Sequence, residues 1–216
     1  MTIAKAGWDR REDALWVRRV GSTSGRGVCL FRQPGTLDGN TRFGKIGCGT
    51  MTISDSTLGS IPLTTIDGGT TSLSDLGDKV YLIVNVASRC GLTPQYEKLE
   101  ELQKAYGERG FSVLGFPSNQ FLQELSTDDA IKQYCSVTWG VTFPMFEKTR
   151  VNGKNAHPLY AELTKASDSA GKAGKVKWNF EKFVITREGE VHRFRPATQP
   201  DAPEIVTLIE ASLPTD

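Results

Sequence analysis

Hydrophobic positions fall into a regular pattern only from residue 61 onwards. Residues 62–66 and 70–73 flank a glycine turn and predict a short hairpin. Residues 80–87 then form a nearly continuous apolar run of strand length, which is typical of a central strand covered on both faces. Apolar residues at helical spacing predict a helix from about residue 94 to residue 106, and residues 111–116 predict a second strand. This order implies two parallel strands joined by a right-handed crossover.

The rest of the chain continues the alternation of helices and strands. A helix is predicted to start at Ser126 or Thr127 and to end at Gly140, with Cys135 on its apolar face. The remaining predicted elements are a helix over residues 157–163, a hairpin of residues 183–185 with 191–194, and a last helix over residues 202–213. Together these elements indicate an α/β fold with a central mixed β-sheet flanked by α-helices.

Residues 1–57 lack this pattern and contain two short glycine-rich stretches. Such a segment cannot bury much apolar surface, so we expect it to be disordered. An alternative interpretation is that Met51 is the true start and that the residues before it belong to an over-extended gene assignment. We therefore expect a folded domain over residues 58–216 and no function for Cys29 or Cys48.

Composition adds only that the chain is an ordinary soluble protein, with 38% hydrophobic and 24% charged residues. Residues 1–50 carry nine Lys and Arg against four Asp and Glu, and the remainder carries 17 against 21. Neither part has the clustered basic residues of a nucleic-acid-binding protein. There is no run of about 18 apolar residues for a membrane span, and the N-terminus lacks the apolar core of a secretory signal. We therefore expect a cytoplasmic protein that neither binds nucleic acid nor inserts into membranes.

The cysteines are the strongest candidates for chemistry. All four lie too far apart for the CxxC pairs of a zinc site, and we expect neither a metal nor a bound cofactor. Cys90 follows the strongest predicted strand and precedes a helix, where backbone N–H groups and the helix dipole stabilise an anion. Because the thiolate is the nucleophilic form of cysteine, Cys90 is a candidate nucleophile. The alternative is an inert packed cysteine, since this residue type is often buried.

Four segments of the chain resemble the motifs of glutathione peroxidases. They are Asn85-Val-Ala-Ser-Arg-Cys-Gly-Leu-Thr-Pro-Gln-Tyr96, Gly115-Phe-Pro-Ser-Asn-Gln-Phe121, Gly140-Val-Thr-Phe-Pro-Met-Phe146 and Trp178-Asn-Phe-Glu-Lys-Phe183. The resemblance covers about residues 61–213 and implies a peroxidase with a thioredoxin-like fold. It further implies a catalytic tetrad of Cys90, Gln123, Trp178 and Asn179.

Each member of the implied tetrad suits its role. The indole N–H of Trp178 and the amides of Gln123 and Asn179 can donate to a sulfur anion and orient a peroxide without titrating. Without the resemblance, a core aromatic and a turn residue would be the preferred interpretations of Trp178 and Asn179. The family usually shows Gln-Glu-Pro-Gly at Gln123, whereas this chain reads Phe121-Leu-Gln-Glu-Leu-Ser126 and is one residue shorter.

Attack of Cys90 on a peroxide would release water or an alcohol and leave a sulfenic acid. Cys135 matches the resolving cysteine of family members that form an internal disulfide, which implies thioredoxin as reductant, with glutathione as the alternative. Cys135 also continues an apolar helix face, so packing is its other interpretation. Because a disulfide needs Cα atoms about 4.4–6.8 Å apart, we expect this helix to unwind during turnover.

The resemblance also bears on assembly and on substrates. Residues 166–176 are short and polar and match family members that lack the loop used to assemble tetramers, which implies a monomer. The expected function is reduction of hydrogen peroxide and of organic or lipid hydroperoxides during oxidative stress. One alternative is a peroxide sensor that passes its oxidation to a partner protein. Another is a thioredoxin-fold disulfide oxidoreductase, although Cys90 is followed by Gly-Leu-Thr and no CxxC is present.

Overall fold

The computed structural model describes residues 52–53 and 56–214, together with three strands nearer the N-terminus. The chain divides into two compact units, residues 1–50 and residues 51–216. The first contains β1 (Val17–Val20), β2 (Val28–Arg32) and β3 (Phe43–Gly47), which pair antiparallel in that order.

These three strands were not expected from the sequence. Each of these strands has only four or five residues and lies between glycine-containing segments. That is too short for an alternation of apolar and polar residues to be recognised. The other residues of this unit, where disorder was expected, lie outside the described residues. The domain boundary between residues 57 and 58 stays a prediction.

The second unit alternates strands with helices. Its strands are β4 (Leu63–Thr64), β5 (Thr70–Thr71), β6 (Val80–Val86), β7 (Phe111–Pro117), β8 (Lys182–Ile185) and β9 (Val191–Phe194). Its helices are α1 (Gln95–Tyr106), α2 (Asp128–Trp139), α3 (Pro158–Leu163) and α4 (Pro203–Ser212). Every element predicted from residue 61 onwards is present, and its ends agree with the prediction to within two residues.

The main sheet has four strands in the order β7-β6-β8-β9. β6 runs parallel to β7 and antiparallel to β8, and β8 and β9 form a hairpin. The apolar run of residues 80–86 is buried at every position, because β6 is a central strand with neighbours on both sides. Helix α1 forms the crossover between β6 and β7, as the sequence predicted.

Alternate residues of β6 face two different apolar clusters, as the two-residue period of a strand requires. Leu82 and Val84 pack with residues of three helices, Leu99 of α1, Ile131 of α2 and Ile205 of α4. Tyr81 and Ile83 pack with Leu159 and Tyr160 of α3. A mixed sheet with helices on both faces is the predicted thioredoxin-like α/β fold, which is thereby confirmed.

The packed region begins ahead of residue 58. Ile53 is fully buried in the cluster that contains Tyr81 and Ile83. Its N–H donates to the carbonyl of Arg187 at 2.8 Å, so the backbone is also bonded to the turn between β8 and β9. Residues just before the expected domain start therefore contribute to its core.

Lys182 at the start of β8 is an unusual component of this core. The residue is fully buried, and its Nζ donates to the carbonyls of Phe180 at 2.6 Å and Pro196 at 3.3 Å. Burial lowers the pKa of the Lys182 ammonium from 10.5 to about 7, and the neighbouring carboxylate of Glu181 opposes that shift. Two carbonyl acceptors accommodate the amine in either protonation state.

The depressed pKa of Lys182 predicts a specific pH dependence of stability. Between pH 7 and 10.5 the unfolded chain holds a proton on Lys182 that the native state has lost, so the free energy of unfolding rises with pH. Denaturant unfolding at pH 7 and pH 9 should show wild type gaining about 1–2 kcal/mol relative to Lys182→Met, which lacks the titrating group. Equal changes in both proteins would contradict this prediction.

Candidate active site

Cys90 lies in the loop between β6 and α1, and 7% of the residue is exposed. Its backbone is held by Thr93, whose Oγ1 accepts the Cys90 N–H at 3.0 Å and donates to the carbonyl of Ala87 at 2.9 Å. The Thr93 N–H donates to the carbonyl of Cys90 at 3.0 Å and begins a series of turns that leads into α1. The sulfur of Cys90 accepts the Leu92 N–H at 3.4 Å. A backbone dipole therefore points at the sulfur, which suits a sulfur anion.

Trp178 and Asn179 lie in the loop that precedes β8. The Trp178 residue is 42% exposed, and its ring packs at a tilt on Phe121 with 5.2 Å between ring centroids. Asn179 is fully buried, and its Nδ2 donates to Oε1 of Gln123 at 2.8 Å. Oδ1 of Asn179 has no hydrogen-bond partner among the described residues. The amide of Asn179 thus keeps an unused hydrogen-bonding atom beside Gln123.

Gln123 is carried by the loop that follows β7. The carbonyl of Gln123 accepts the Arg89 N–H at 2.9 Å, directly beside Cys90 in the chain. The next residue, Glu124, is buried and accepts the Ser88 N–H on its Oε1 at 3.1 Å. Burial raises the pKa of the Glu124 carboxyl, and its hydrogen bonds from backbone N–H groups oppose that shift. The loop that carries Gln123 is therefore fastened to the segment that leads into Cys90.

The structure places the four predicted tetrad residues in loops at one end of β6, but their side chains are not all joined by hydrogen bonds. Gln123 and Asn179 are in direct contact through their amides. Within residues 56–214, the hydrogen bond to Cys90 Sγ comes from Leu92, and no tetrad side chain donates to the sulfur. The catalytic roles of Gln123, Trp178 and Asn179 therefore stay predictions.

The loop that carries Gln123 exposes an apolar side chain at this end of the sheet. Leu122 has a φ of 58°, in the left-handed region that residues other than glycine or asparagine seldom adopt. It is 87% exposed. With Phe121 and Trp178 it forms the site rim, our name for these three residues. Leu122 and Trp178 directly precede Gln123 and Asn179 in the chain, so each amide follows an exposed apolar residue.

Cys135 lies on the buried face of α2 and is 1% exposed. Its sulfur lies 3.4 Å from Oη of Tyr96 on α1. Burial raises the pKa of the Cys135 thiol to about 11, with a further contribution from the Glu124 carboxylate, while the Tyr96 hydrogen bond opposes the shift. Cys90 and Cys135 are both free thiols and belong to the same apolar cluster. Cys135 is thus a packed residue in the reduced protein, and its role as a resolving cysteine stays a prediction.

Comparisons with known proteins place these residues in a family. A family model described as glutathione peroxidase matches residues 60–164. The chain is 49% identical over 169 residues to the thioredoxin/glutathione peroxidase BtuE of Escherichia coli (strain K12), which covers 68% of this chain and 92% of that protein. The chain belongs to the glutathione peroxidase family. The resemblance found in the sequence motifs is thereby confirmed.

Two further glutathione peroxidase comparisons agree in sequence and in fold. The hydroperoxy fatty acid reductase gpx1 of Synechocystis sp. (strain ATCC 27184 / PCC 6803 / Kazusa) is 46% identical over 166 residues, or 74% of this chain and 97% of that protein. A crystal structure of T. cruzi GPX1 matches with a TM-score of 0.58 at 31% identity, covering 73% of this chain and 96% of that chain. The chain is therefore a peroxidase, as predicted, and members of its family use a thiol reductant as co-substrate.

Three buried polar residues near the site were not singled out from the sequence. Asn85, Glu124 and Glu181 are all buried, and each accepts a backbone N–H from a loop next to Cys90, Gln123 or Trp178. The signal for Asn85 was available, because an amide interrupts the apolar run of β6. The burial of Glu124 and Glu181 could not be expected from residue type, because carboxylates are usually exposed.

Two other properties can be stated for the part of the chain that the structure describes. Among these residues there is no group of three or more His, Cys, Asp or Glu side chains placed to hold a metal ion. No helix there is long and apolar enough to cross a membrane.

The environments of the two cysteines predict different reactivities. At pH 8 the raised pKa of Cys135 and its burial leave almost no accessible thiolate, so iodoacetamide should label Cys90 at least about tenfold faster than Cys135. Peptide mass spectrometry of the reduced full chain after timed labelling measures both rates. In concentrated guanidinium chloride the two rates should converge, and equal rates in the folded protein would contradict this prediction.

Proposed function

We propose that this protein is a two-cysteine thiol peroxidase in which Cys90 attacks the peroxide and Cys135 resolves the oxidised product. The observation that carries this proposal is that both residues are free thiols in one apolar cluster, with a backbone N–H donated to the sulfur of Cys90. A nucleophile whose sulfur accepts a backbone N–H and a more deeply buried second thiol are the two parts that this mechanism needs.

In the first step the Cys90 thiolate attacks the terminal oxygen of the hydroperoxide. The O–O bond breaks, Cys90 becomes a sulfenic acid, and the departing alkoxide or hydroxide takes a proton to leave as an alcohol or water. We assign the orientation of the peroxide to the amides of Gln123 and Asn179 and to the indole N–H of Trp178. The contact between Gln123 and Asn179 supports this assignment for the two amides.

In the second step the Cys135 thiolate attacks the sulfenic sulfur of Cys90, the S–O bond breaks as the disulfide forms, and the departing hydroxide takes a proton to leave as water. Cys135 must first leave its contact with Tyr96, because it is buried in an intact helix and its thiol has a raised pKa. We therefore assign a local unwinding of α2 to this step.

In the third step a dithiol reductant returns the disulfide to two thiols and is itself oxidised. We propose thioredoxin in this role, with glutathione as the alternative. The name of the Escherichia coli relative includes both reductants. We further propose that the protein acts as a monomer in the cytoplasm during oxidative stress.

Turnover assays on cysteine variants test the mechanism. With hydrogen peroxide, thioredoxin and thioredoxin reductase, wild type should consume NADPH continuously, whereas Cys90→Ser should fall to the uncatalysed rate. Cys135→Ser should consume about one peroxide per protein and then stop, because the sulfenic acid forms but thioredoxin has no disulfide to reduce.

The matched control is the double variant Cys29→Ser/Cys48→Ser, which should turn over like wild type. If Cys135→Ser recycles as fast as wild type, Cys135 is a packing residue and a direct thiol reductant acts on Cys90. If wild type itself is inactive with thioredoxin and with glutathione, the peroxidase mechanism through Cys90 is wrong.

We also propose that organic and lipid hydroperoxides are substrates beside hydrogen peroxide. The site rim supports this proposal, because its exposed Leu122 and half-exposed Trp178 present apolar surface next to Gln123. A fatty-acyl chain that covers this surface would gain binding energy that hydrogen peroxide cannot. The Synechocystis relative is named a hydroperoxy fatty acid reductase.

Replacement of Leu122 tests the role of the site rim. Leu122→Asn keeps a residue type that tolerates φ near 58° but removes the apolar side chain. Its kcat/KM for a linoleic acid hydroperoxide should fall about tenfold, mainly through KM, while that for hydrogen peroxide should change less than twofold. Val137→Asn on α2, which removes another highly exposed aliphatic side chain, is the control. Equal losses for both substrates in Leu122→Asn would contradict the proposal.

A further inference from the structure

Asn85 is the only residue of β6 whose side chain is an amide or carries a charge, and it is fully buried. A buried amide is costly unless its donors and acceptors find partners. Nδ2 of Asn85 donates to the carbonyl of Trp178 at 3.0 Å, and its Oδ1 accepts the Glu181 N–H at 3.1 Å. Both side-chain contacts therefore go to the loop that carries Trp178 and Asn179.

Asn85 lies one residue beyond the point where the regular pairing of β6 with β8 stops. The last paired residues are Val84 and Lys182. Beyond them the Phe180 N–H donates to the backbone carbonyl of Asn85 at 2.6 Å. Phe180 has φ of 63°, a left-handed conformation that persists in a large residue only where its surroundings fix it. The contacts of Asn85 lie on both sides of Phe180 and supply that fixation.

The same contacts determine where the two tetrad residues of this loop lie. The bonds to the Trp178 carbonyl and the Phe180 N–H enclose Asn179. The Trp178 ring touches Phe121, but within residues 56–214 its carbonyl is bonded by Asn85 alone. Asn85 belongs to the strand that leads into Cys90, so one side chain joins that strand to the loop.

Glu181 holds the other side of the loop. Its Oε2 accepts the Lys177 N–H at 2.7 Å, and its Oε1 pairs with Arg193 at 2.5 Å and Arg195 at 2.7 Å, with both Glu181 and Arg193 fully buried. With this anchor intact, loss of an Asn85 contact should shift the loop rather than release it.

We propose that Asn85 is a positioning residue that fixes the separation between the loop of Trp178 and Asn179 and the sulfur of Cys90. The inference rests on the proposed roles of Cys90, Trp178 and Asn179. Asn85 itself contacts neither the peroxide nor the sulfur, so it acts only through the loop. Displacement of a positioning group by about 1 Å is known to cost as much as 100-fold in rate.

Asn85→Asp tests the proposal with little change in shape, because a carboxylate cannot donate to the Trp178 carbonyl. We expect kcat/KM for hydrogen peroxide to fall about 10- to 100-fold. We also expect the fluorescence emission maximum of Trp178 to shift. The contribution of Trp178 is obtained by subtracting the spectrum of the same variant with an added Trp178→Phe substitution. Asn85→Ala removes both side-chain contacts without a buried charge and should change activity and emission in the same direction.

Tyr81→Phe is the matched control, since Tyr81 is a buried residue of the same strand whose Oη donates to the carbonyls of Leu73 and Gly77. This variant should lower the melting temperature but leave kcat/KM within about twofold and the Trp178 emission unchanged. If Asn85→Asp and Asn85→Ala behave like Tyr81→Phe, Asn85 is only a structural residue and the proposal is overturned.

Two measurements keep this result separate from the proposed function. If wild type is inactive with every reductant, the mechanism through Cys90 fails, while the emission comparison still reports whether Asn85 positions the loop. Hydrogen exchange of wild type covers the case in which neither Asn85 variant folds. The amides of Phe180 and Glu181 should be protected as strongly as those of β6, and rapid exchange would overturn the proposal.

Discussion

Burial of β6 on both faces is the constraint on which the second unit depends. Its alternate residues need apolar partners on each side, so helices must cover both faces of the sheet. Polar chemistry is then left to the loops at the ends of the strands. Cys90 follows β6, Gln123 follows the parallel β7, and the loop of Trp178 precedes the antiparallel β8. These strand directions bring three loops from distant parts of the chain to the same end of the sheet.

The loops at this end of the sheet place polar groups inside the protein, and a few buried side chains supply the hydrogen bonds that these groups need. Glu181 is paired with Arg193 where neither has contact with water. Breaking such a pair leaves an uncompensated buried charge, which typically costs about 3–5 kcal/mol. Arg193 also donates to the carbonyls of Thr164, Ala166 and Lys175, on either side of the polar segment before Trp178. Arg193 thereby joins Glu181 to both ends of that segment.

The sequence predicted the elements of the second unit well because each has a strong local signal. β6 is an apolar run with a single amide, Asn85, and α2 has Thr127 accepting the Ala130 N–H at its start and Gly140 in a left-handed conformation at its end. The candidate site residues could also be named, because four segments of the sequence resemble glutathione peroxidase motifs. In contrast, the short strands β1 to β3 of the first unit have too weak a period to be recognised.

The contacts between site residues could not be predicted in this way. Asn179 meets Gln123 across 56 positions of sequence, and Asn85 meets Trp178 across 93. Such pairings depend on how the strands are ordered, and no local pattern encodes them. The burial of Glu124 and of Lys182 likewise results from packing, because residues of these types are usually exposed.

The backbone of Leu122 links the conformation of its loop to the chemistry of the surface. A glycine at this position would adopt the left-handed conformation freely and would expose no side chain. In this chain a leucine makes the turn, and its side chain projects into solvent. Replacement of Leu122 by glycine would therefore relieve the backbone and remove the exposed apolar side chain together. Given the proposed role of the site rim, this single change would narrow the substrate range without any substitution of Cys90.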